Sequence, residues 1–222
     1  PFRQTVAKPD VTLAEAVENI DIGGPAMIRA AAKNFAYVAV VVNPAKYDIV
    51  LAELAKNGEI SREIRMELAW EAYNHTAEYD SYIGRYLASQ LGQGQFPQVL
   101  HTVYDKVQDL RYGENPHQQA AFYKEKYFTG PGVASAKQLH GKELSFNNIV
   151  DLEAAYGIVN EFEQPAATII KHTNPCGTGC GEDIAQAYAK AYAADPVSAY
   201  GGIIGLNRIV DKATAEQVAG LF

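Results

Sequence analysis

The stretch from 167 to 188, ATIIKHTNPCGTGCGEDIAQAY, constrains the fold of this chain more than any other. It opens with the β-favouring apolar run Thr168-Ile169-Ile170, passes through the charged pair Lys171-His172 and enters a Gly-rich turn containing Pro175. It leaves through an apolar-periodic helix, so the pattern reads as strand, loop and helix in order. A buried strand ending in a base-capable pair puts titratable side chains at the carboxyl edge of a sheet, where open α/β folds place their ligands.

The rest of the chain is long enough to surround such a site. Its 222 residues make one large domain or parts of two, and 48% hydrophobic against 20% charged residues is an ordinary globular composition. A formal charge of -7 argues against a nucleic-acid or membrane-surface protein, which would need a basic face, while leaving room for a local basic pocket. No apolar run approaches the ~18 residues of a membrane span, and no basic-then-apolar leader is expected among these residues. The two cysteines, Cys176 and Cys180, fit a reducing cytosol, so a cytoplasmic location is expected. The chain begins Pro1-Phe2 and stops at Gly220-Leu221-Phe222 within a helical pattern, and the expectation is an excerpt of a longer polypeptide.

Taken in order, the section to about Tyr86 reads as helices around one strand. Thr12 with Glu15 forms a candidate capping box, and Pro25 suits the first position of a helix running from Ala26 to Asn34. Phe35 to Val42 is rich in β-formers and reads as a buried strand ended by Asn43-Pro44. A helix from Lys46 to Lys56 closes at Asn57-Gly58, and Ser61 caps a long helix to Leu87 whose tyrosines suit a core or an interface. From Gly92 to Gln98 the composition shifts to Gly, Gln and Pro, a linker-like break. Beyond it, Leu100 to Val107 and Ala120 to Tyr123 read as strands, and Asn148 with Asp151 can cap a helix to Glu161. A Gly-rich strand from Ala199 to Leu206 and a helix capped by Asp211 finish the pattern.

Lys171-His172 is the strongest chemical candidate. A histidine titrating near neutrality suits proton transfer, and a lysine beside it can stabilise developing negative charge. The two can serve one substrate only if the strand is ending, because adjacent side chains of a strand point to opposite faces. The spacing of Cys176 and Cys180 matches no zinc-knuckle or redox pattern, so the thiols read as packing within a tight turn; its N–H groups could instead face an anion. In the run 111–118, RYGENPHQ, the Arg111 guanidinium can grip a phosphate and Tyr112 can stack on a heterocycle, though a polar surface loop has the same composition. The glycine-tightened approach around Tyr200 and Gly201 suits either a close ligand or a close packing neighbour. Spacing alone gives Asp21 and Lys33 no more than a loop acid and a last-turn lysine.

Five segments together resemble one family. LRYGENPHQ at 110–118, GKELSFNNIVDLEAA at 141–155, KHTNPCGTG at 171–179 and DPVSAYGGIIGLN at 195–207 are similar to the formyltransferase section of the bifunctional AICAR transformylase/IMP cyclohydrolase family of purine biosynthesis. DIGGPAMIRAAAKN at 21–34 resembles the end of its cyclohydrolase section. The resemblance implies an α/β architecture: the C-terminal part of a methylglyoxal-synthase-like domain over 1–90, a linker over 91–98, and the first part of a cytidine-deaminase-like transformylase domain over 99–222. It implies formyl transfer from the cosubstrate 10-formyltetrahydrofolate to AICAR, then closure of formyl-AICAR to IMP. The family match makes Lys171 and His172 the transformylase pair, Arg111, Tyr112, Asn148, Tyr200 and Gly201 substrate contacts, and Asp21 and Lys33 cyclohydrolase residues. It further implies no catalytic zinc, room for a monovalent cation, and a homodimer whose sites draw on both protomers. The excerpt itself is then expected to be inactive. The competing readings are a zinc deaminase-like hydrolase and a non-catalytic binding or dimerisation module.

Overall fold

The computed structural model describes residues 2–92 and 96–220 of the chain. It is a mixed α/β structure that divides into two compact units, 1–103 and 104–222. The Gly-, Gln- and Pro-rich break expected from 92 to 98 falls partly, and the last two residues fall wholly, outside the described positions.

The first unit is helical, with α1 (Phe2–Val6), α2 (Leu13–Glu18), α3 (Gly23–Lys33), α4 (Tyr47–Asn57) and the long α5 (Arg62–Gln90). Local chemistry sets most of these boundaries. The Thr12–Glu15 capping box opens α2, Ser61 caps α5, and Gly58 at φ 72° in the left-handed region ends α4. Pro25 sits at the third position of α3 rather than the first, because Asp21 accepts the Gly24 N–H at 3.0 Å and starts the helix two residues earlier. α3 lies on α5 through buried Ala32, Ala69 and Ala72. Phe2 is fully buried, its ring meeting Tyr79, Tyr82 and Tyr86 edge-on at centroid separations of 6.4, 6.1 and 5.6 Å. That geometry satisfies the ring quadrupoles and adds about 1 kcal/mol per pair beyond burial.

The strand expected over Phe35–Val42 does not form. Residues 34–37 make a turn and 38–43 run without regular structure, half-buried, with Tyr37 86% exposed. Val40 and Val42 pack against the Ala32–Ala69–Ala72 cluster, so the apolar residues serve a helix surface. A strand is defined by its ladder, and no described residue of this unit lies in one.

The second unit begins with an antiparallel hairpin, β1 (Tyr104–Leu110) and β2 (Ala120–Glu125), joined by the loop 111–119. β1 lies four residues beyond the expected start at Leu100. Next comes α6 (Phe146–Asn160), and then a second sheet of β3 (Ala166–Lys171), β4 (Asn174–Cys180) and β5 (Ile203–Leu206), with α7 (Ile184–Ala194), the single-turn α8 (Pro196–Ala199) and α9 (Lys212–Ala219). The sheet order is β4-β3-β5 and both pairings are antiparallel, so β3 does run to Lys171-His172 at its carboxyl end, but its described neighbours run the other way instead of sharing that edge. The glycine-rich segment after His172 is strand β4 rather than a turn, and the strand expected from Ala199 shrinks to Ile203–Leu206 behind α8.

Alternation along central β3 divides the core between two helical layers. Ala167 and Ile169 join Ile184, Ala187, Tyr188 and Ala191 of α7 in one cluster. Thr168 is the buried residue between them on the other face, and its strand partner Gly205 lies against Ala155 of α6. Gly177 and Gly179 pair with Ile169 and Ala167, which places them under α7. A Cβ built on Gly177 would lie 2.0 Å from the Ala191 carbonyl oxygen, and one on Gly179 would lie 2.7 Å from that of Ala187. These glycines let a helix backbone rest directly on the strand. The register shift between Ile169 and Ile170 places Cys176 as an extra residue beside Pro175, the irregular position at which a ladder tolerates proline.

Candidate functional site

Lys171 pairs with Asn174, so His172 and Thr173 form a two-residue hairpin turn. Their φ values are 57° and 63°, the pair of positive angles that a type I′ turn demands and that Asn-Gly usually supplies. Among the described residues these two are the only non-glycine positions with positive φ. Holding them there costs on the order of 1–3 kcal/mol each, more readily tolerated by histidine than by β-branched threonine.

A carboxylate offsets that cost. Asp151, in the second turn of α6, accepts the Thr173 N–H on Oδ1 at 2.7 Å and the His172 N–H on Oδ2 at 3.3 Å. The turn closes on itself as well, with Thr173 Oγ1 donating to the His172 carbonyl at 2.6 Å and Asn174 Nδ2 donating to the same oxygen at 2.9 Å. Two successive N–H groups aimed at one anion form a small backbone nest.

His172 and Thr173 line an open cavity of about 490 Å³, whose other walls are Glu114 and Asn115 from the 111–119 loop and Phe146, Asn147, Val150 and Asp151 from α6. It offers one imidazole, two carboxylates, two carboxamides and an aromatic face, a lining suited to a polar heterocycle. The loop wall is held by the Gly113 N–H donating to the Gln118 carbonyl at 3.0 Å and the Asn115 N–H donating to Gln118 Oε1 at 2.8 Å. The helix wall is fixed by a capping box in which Ser145 Oγ accepts the Asn148 N–H at 3.2 Å and Asn148 Oδ1 accepts the Ser145 N–H at 3.2 Å. Ser145 is therefore the cap of α6. Asn148 is the box partner rather than the cap, and Asp151 is directed to the hairpin.

Of the residues given a catalytic or substrate-binding role from the sequence, only His172 lines this cavity. Lys171 is half-buried and donates from Nζ to the Tyr200 carbonyl at 3.1 Å, tying the hairpin tip to the turn in which Gly201 has φ 77°. The Tyr200 side chain is 67% exposed. Arg111 lies over the Tyr112 ring, 5.8 Å from its centroid, just before the residues that line the cavity. In the first unit, Asp21 precedes α3 and Lys33 is its last residue, and because the 11 residues of α3 span ~16 Å the helix sets them at opposite ends rather than side by side. The Asp21 N–H donates to the Tyr79 hydroxyl at 2.8 Å.

The thiols lie in β4, Cys176 packing against the α7 core and the Cys180 carbonyl accepting Lys190 Nζ at 2.9 Å. The N–H groups of the glycine segment belong to a strand, not to the start of α7, which is capped by Asp183 through the Gln186 N–H at 2.7 Å. Among the described residues no group of three or more His, Cys, Asp or Glu could hold a metal, and no helix is long and apolar enough to cross a membrane.

The sequence reading took Asp151 only as a helix cap and gave Asn147 and Glu114 no role of their own. A legible signal existed for the helical pair: Asn147, Val150 and Asp151 sit at i, i+3 and i+4, one face of α6 that begins within the Ser145–Asn148 box.

The family described as AICARFT/IMPCHase bienzyme matches residues 31–222. The bifunctional purine biosynthesis protein PurH of Bacillus cereus is 57% identical over 222 residues, covering 100% of this chain and 43% of that protein. Proteins of the same name from Bacillus anthracis and from Bacillus thuringiensis subsp. konkukian match with the same identity and coverage. The chain thus spans less than half the length of these relatives. Since the family match covers most of its residues, the chain belongs to the AICARFT/IMPCHase bienzyme family.

Proposed function

We propose that the chain supplies part of each active site of a bifunctional enzyme that formylates AICAR from 10-formyltetrahydrofolate and then closes formyl-AICAR to IMP. Residues 99–222 are read as the first part of a cytidine-deaminase-like transformylase domain, 1–90 as the end of a methylglyoxal-synthase-like cyclohydrolase domain, and 91–98 as their linker. The full-length protein is read as a cytoplasmic homodimer that uses no zinc and has room for a monovalent cation.

In the formyl transfer, the 5-amino nitrogen of AICAR attacks the formyl carbon and the bond from that carbon to N10 of the folate breaks. His172 takes the proton lost by the amine, N10 regains a proton, and tetrahydrofolate leaves. Lys171 supports the oxygen on which negative charge develops, and Arg111, Tyr112, Asn148, Tyr200 and Gly201 hold the nucleotide. Asp21 and Lys33 serve the ring closure, which releases water.

The observation that carries this reading is the position of His172, set at a tip with positive φ and facing a cavity lined by carboxamides, carboxylates and Phe146. In the full-length enzyme, His172→Ala is expected to lower formyl transfer by about a hundredfold or more, while cyclisation of supplied formyl-AICAR survives. Equal loss of both activities would sink the assignment.

A further inference from the structure

We propose that Asp151 is the positioning residue of the formyl-transfer site, setting the aim of His172 through the backbone of the hairpin rather than by touching substrate. The inference rests on the reading of His172 as the proton acceptor.

Three observations converge on Asp151. Its carboxylate accepts from the two successive N–H groups of His172 and Thr173, at 3.3 and 2.7 Å, across a sequence separation of 21 and 22 residues. Among the described residues these two hold the positive φ angles found outside glycine, so the turn is a conformation the local sequence does not favour and a distant anion enforces. The carboxylate is itself fixed: α6 is anchored by the Ser145–Asn148 box one turn earlier and backed by fully packed Ala155 and Val159. A rigid helix thus reaches across the cavity and pins the one segment on which the imidazole is mounted. Relaxing the turn would rotate the Cα–Cβ bond of His172 and move the ring by more than the tolerance of a proton transfer.

Chemistry also separates the carboxylate from its nearest substitute. Asparagine can keep an oxygen on the Thr173 N–H but turns an NH2 toward the His172 N–H, setting donor against donor. Glycine at 173 removes the objection to positive φ, so a hairpin with Thr173→Gly should hold its turn without the clamp.

The test uses the full-length enzyme with Asp151→Asn, Thr173→Gly, the double variant and His172→Ala. For Asp151→Asn, kcat of formyl transfer should fall about tenfold to a hundredfold with KM for AICAR within about threefold of the parent. Cyclisation of supplied formyl-AICAR, measured on the same preparation, should be retained. Adding Thr173→Gly should recover most of the lost kcat, which a merely structural role for Asp151 in α6 would not allow. A rise in KM as large as the fall in kcat would make Asp151 a substrate contact and overturn the inference, as would a double variant no better than Asp151→Asn. If His172→Ala abolishes transfer but Asp151→Asn stays within about twofold of the parent, the positioning role alone fails. If His172→Ala leaves transfer intact, the proposed function fails and this inference with it.

Discussion

Replacing Gly177 by alanine should be among the most damaging single-methyl changes available in this chain. A Cβ there would lie 2.0 Å from the Ala191 carbonyl oxygen and 2.7 Å from the Ala194 Cβ. The first contact is with helix backbone, which has no rotamer by which to escape. Restoring ordinary contact near 3.4 Å requires α7 to retreat by about 1.4 Å, or β4 to bend away from β3. A gap of that size forfeits much of the dispersion made by Ile184, Ala187, Tyr188 and Ala191, so the cost should approach about 3 kcal/mol, the upper end for overpacking. At about 4 °C per kcal/mol, Tm should fall by about 10 °C in a thermal melt followed by circular dichroism. Gly157→Ala is the matched comparison. That glycine lies within α6 with nothing within 4 Å of a built Cβ, so alanine should raise Tm by about 4 °C through helix propensity, worth about 1 kcal/mol. A loss under about 3 °C for Gly177→Ala, or a comparable loss for Gly157→Ala, would refute the reasoning from close approach.

Asn207 joins three segments: its Oδ1 accepts the Ala166 N–H at 2.8 Å, and its Nδ2 lies 3.2, 3.0 and 2.9 Å from the carbonyls of Val159, Phe162 and Gln164. Asn207→Ala should therefore lower the urea midpoint by an amount equivalent to about 2 kcal/mol, and an unchanged midpoint would show that water replaces those bonds. Asp211 caps α9; the Thr214 N–H, donating at 2.8 Å, holds its carboxyl below the usual aspartate range. A carboxyl with a lowered folded-state pKa adds stability above its unfolded pKa and loses it as pH falls through the folded one. Hence Asp211→Ala should be less stable than the parent at pH 6, with the gap narrowing below about pH 4; a gap that stays constant into acid would contradict the charge-assisted cap.

What could be read directly from the sequence was local. The Thr12–Glu15 box and the caps at Ser61 and Asp211 each involve partners within four residues, and the structure forms all three. The apolar run 38–42 misled because β-formers state a preference for a half-buried surface, and here α5 supplies that surface instead of a neighbouring strand. Gly177 and Gly179 misled in the opposite direction: they resemble turn residues, yet their smallness answers the backbone of α7, which sequence spacing does not reveal. The candidate site was legible to the same extent. The sequence singles out His172, which lies at the cavity, whereas the hydrogen bonds of Asp151 are with residues 21 and 22 positions away across a hairpin whose turn type was itself hidden.

The carboxylate clamp on the hairpin also makes the tip a reporter of its own opening. The amide hydrogens of His172 and Thr173 sit on exposed residues and belong to a two-residue turn, yet each is held by Asp151 rather than by water. Deuterium would enter these positions whenever α6 and the tip part, without any rung of the β3–β4 ladder breaking. Exchange at these two amides would thus time the parting of the tip from α6, on a timescale of minutes to hours that faster probes do not reach.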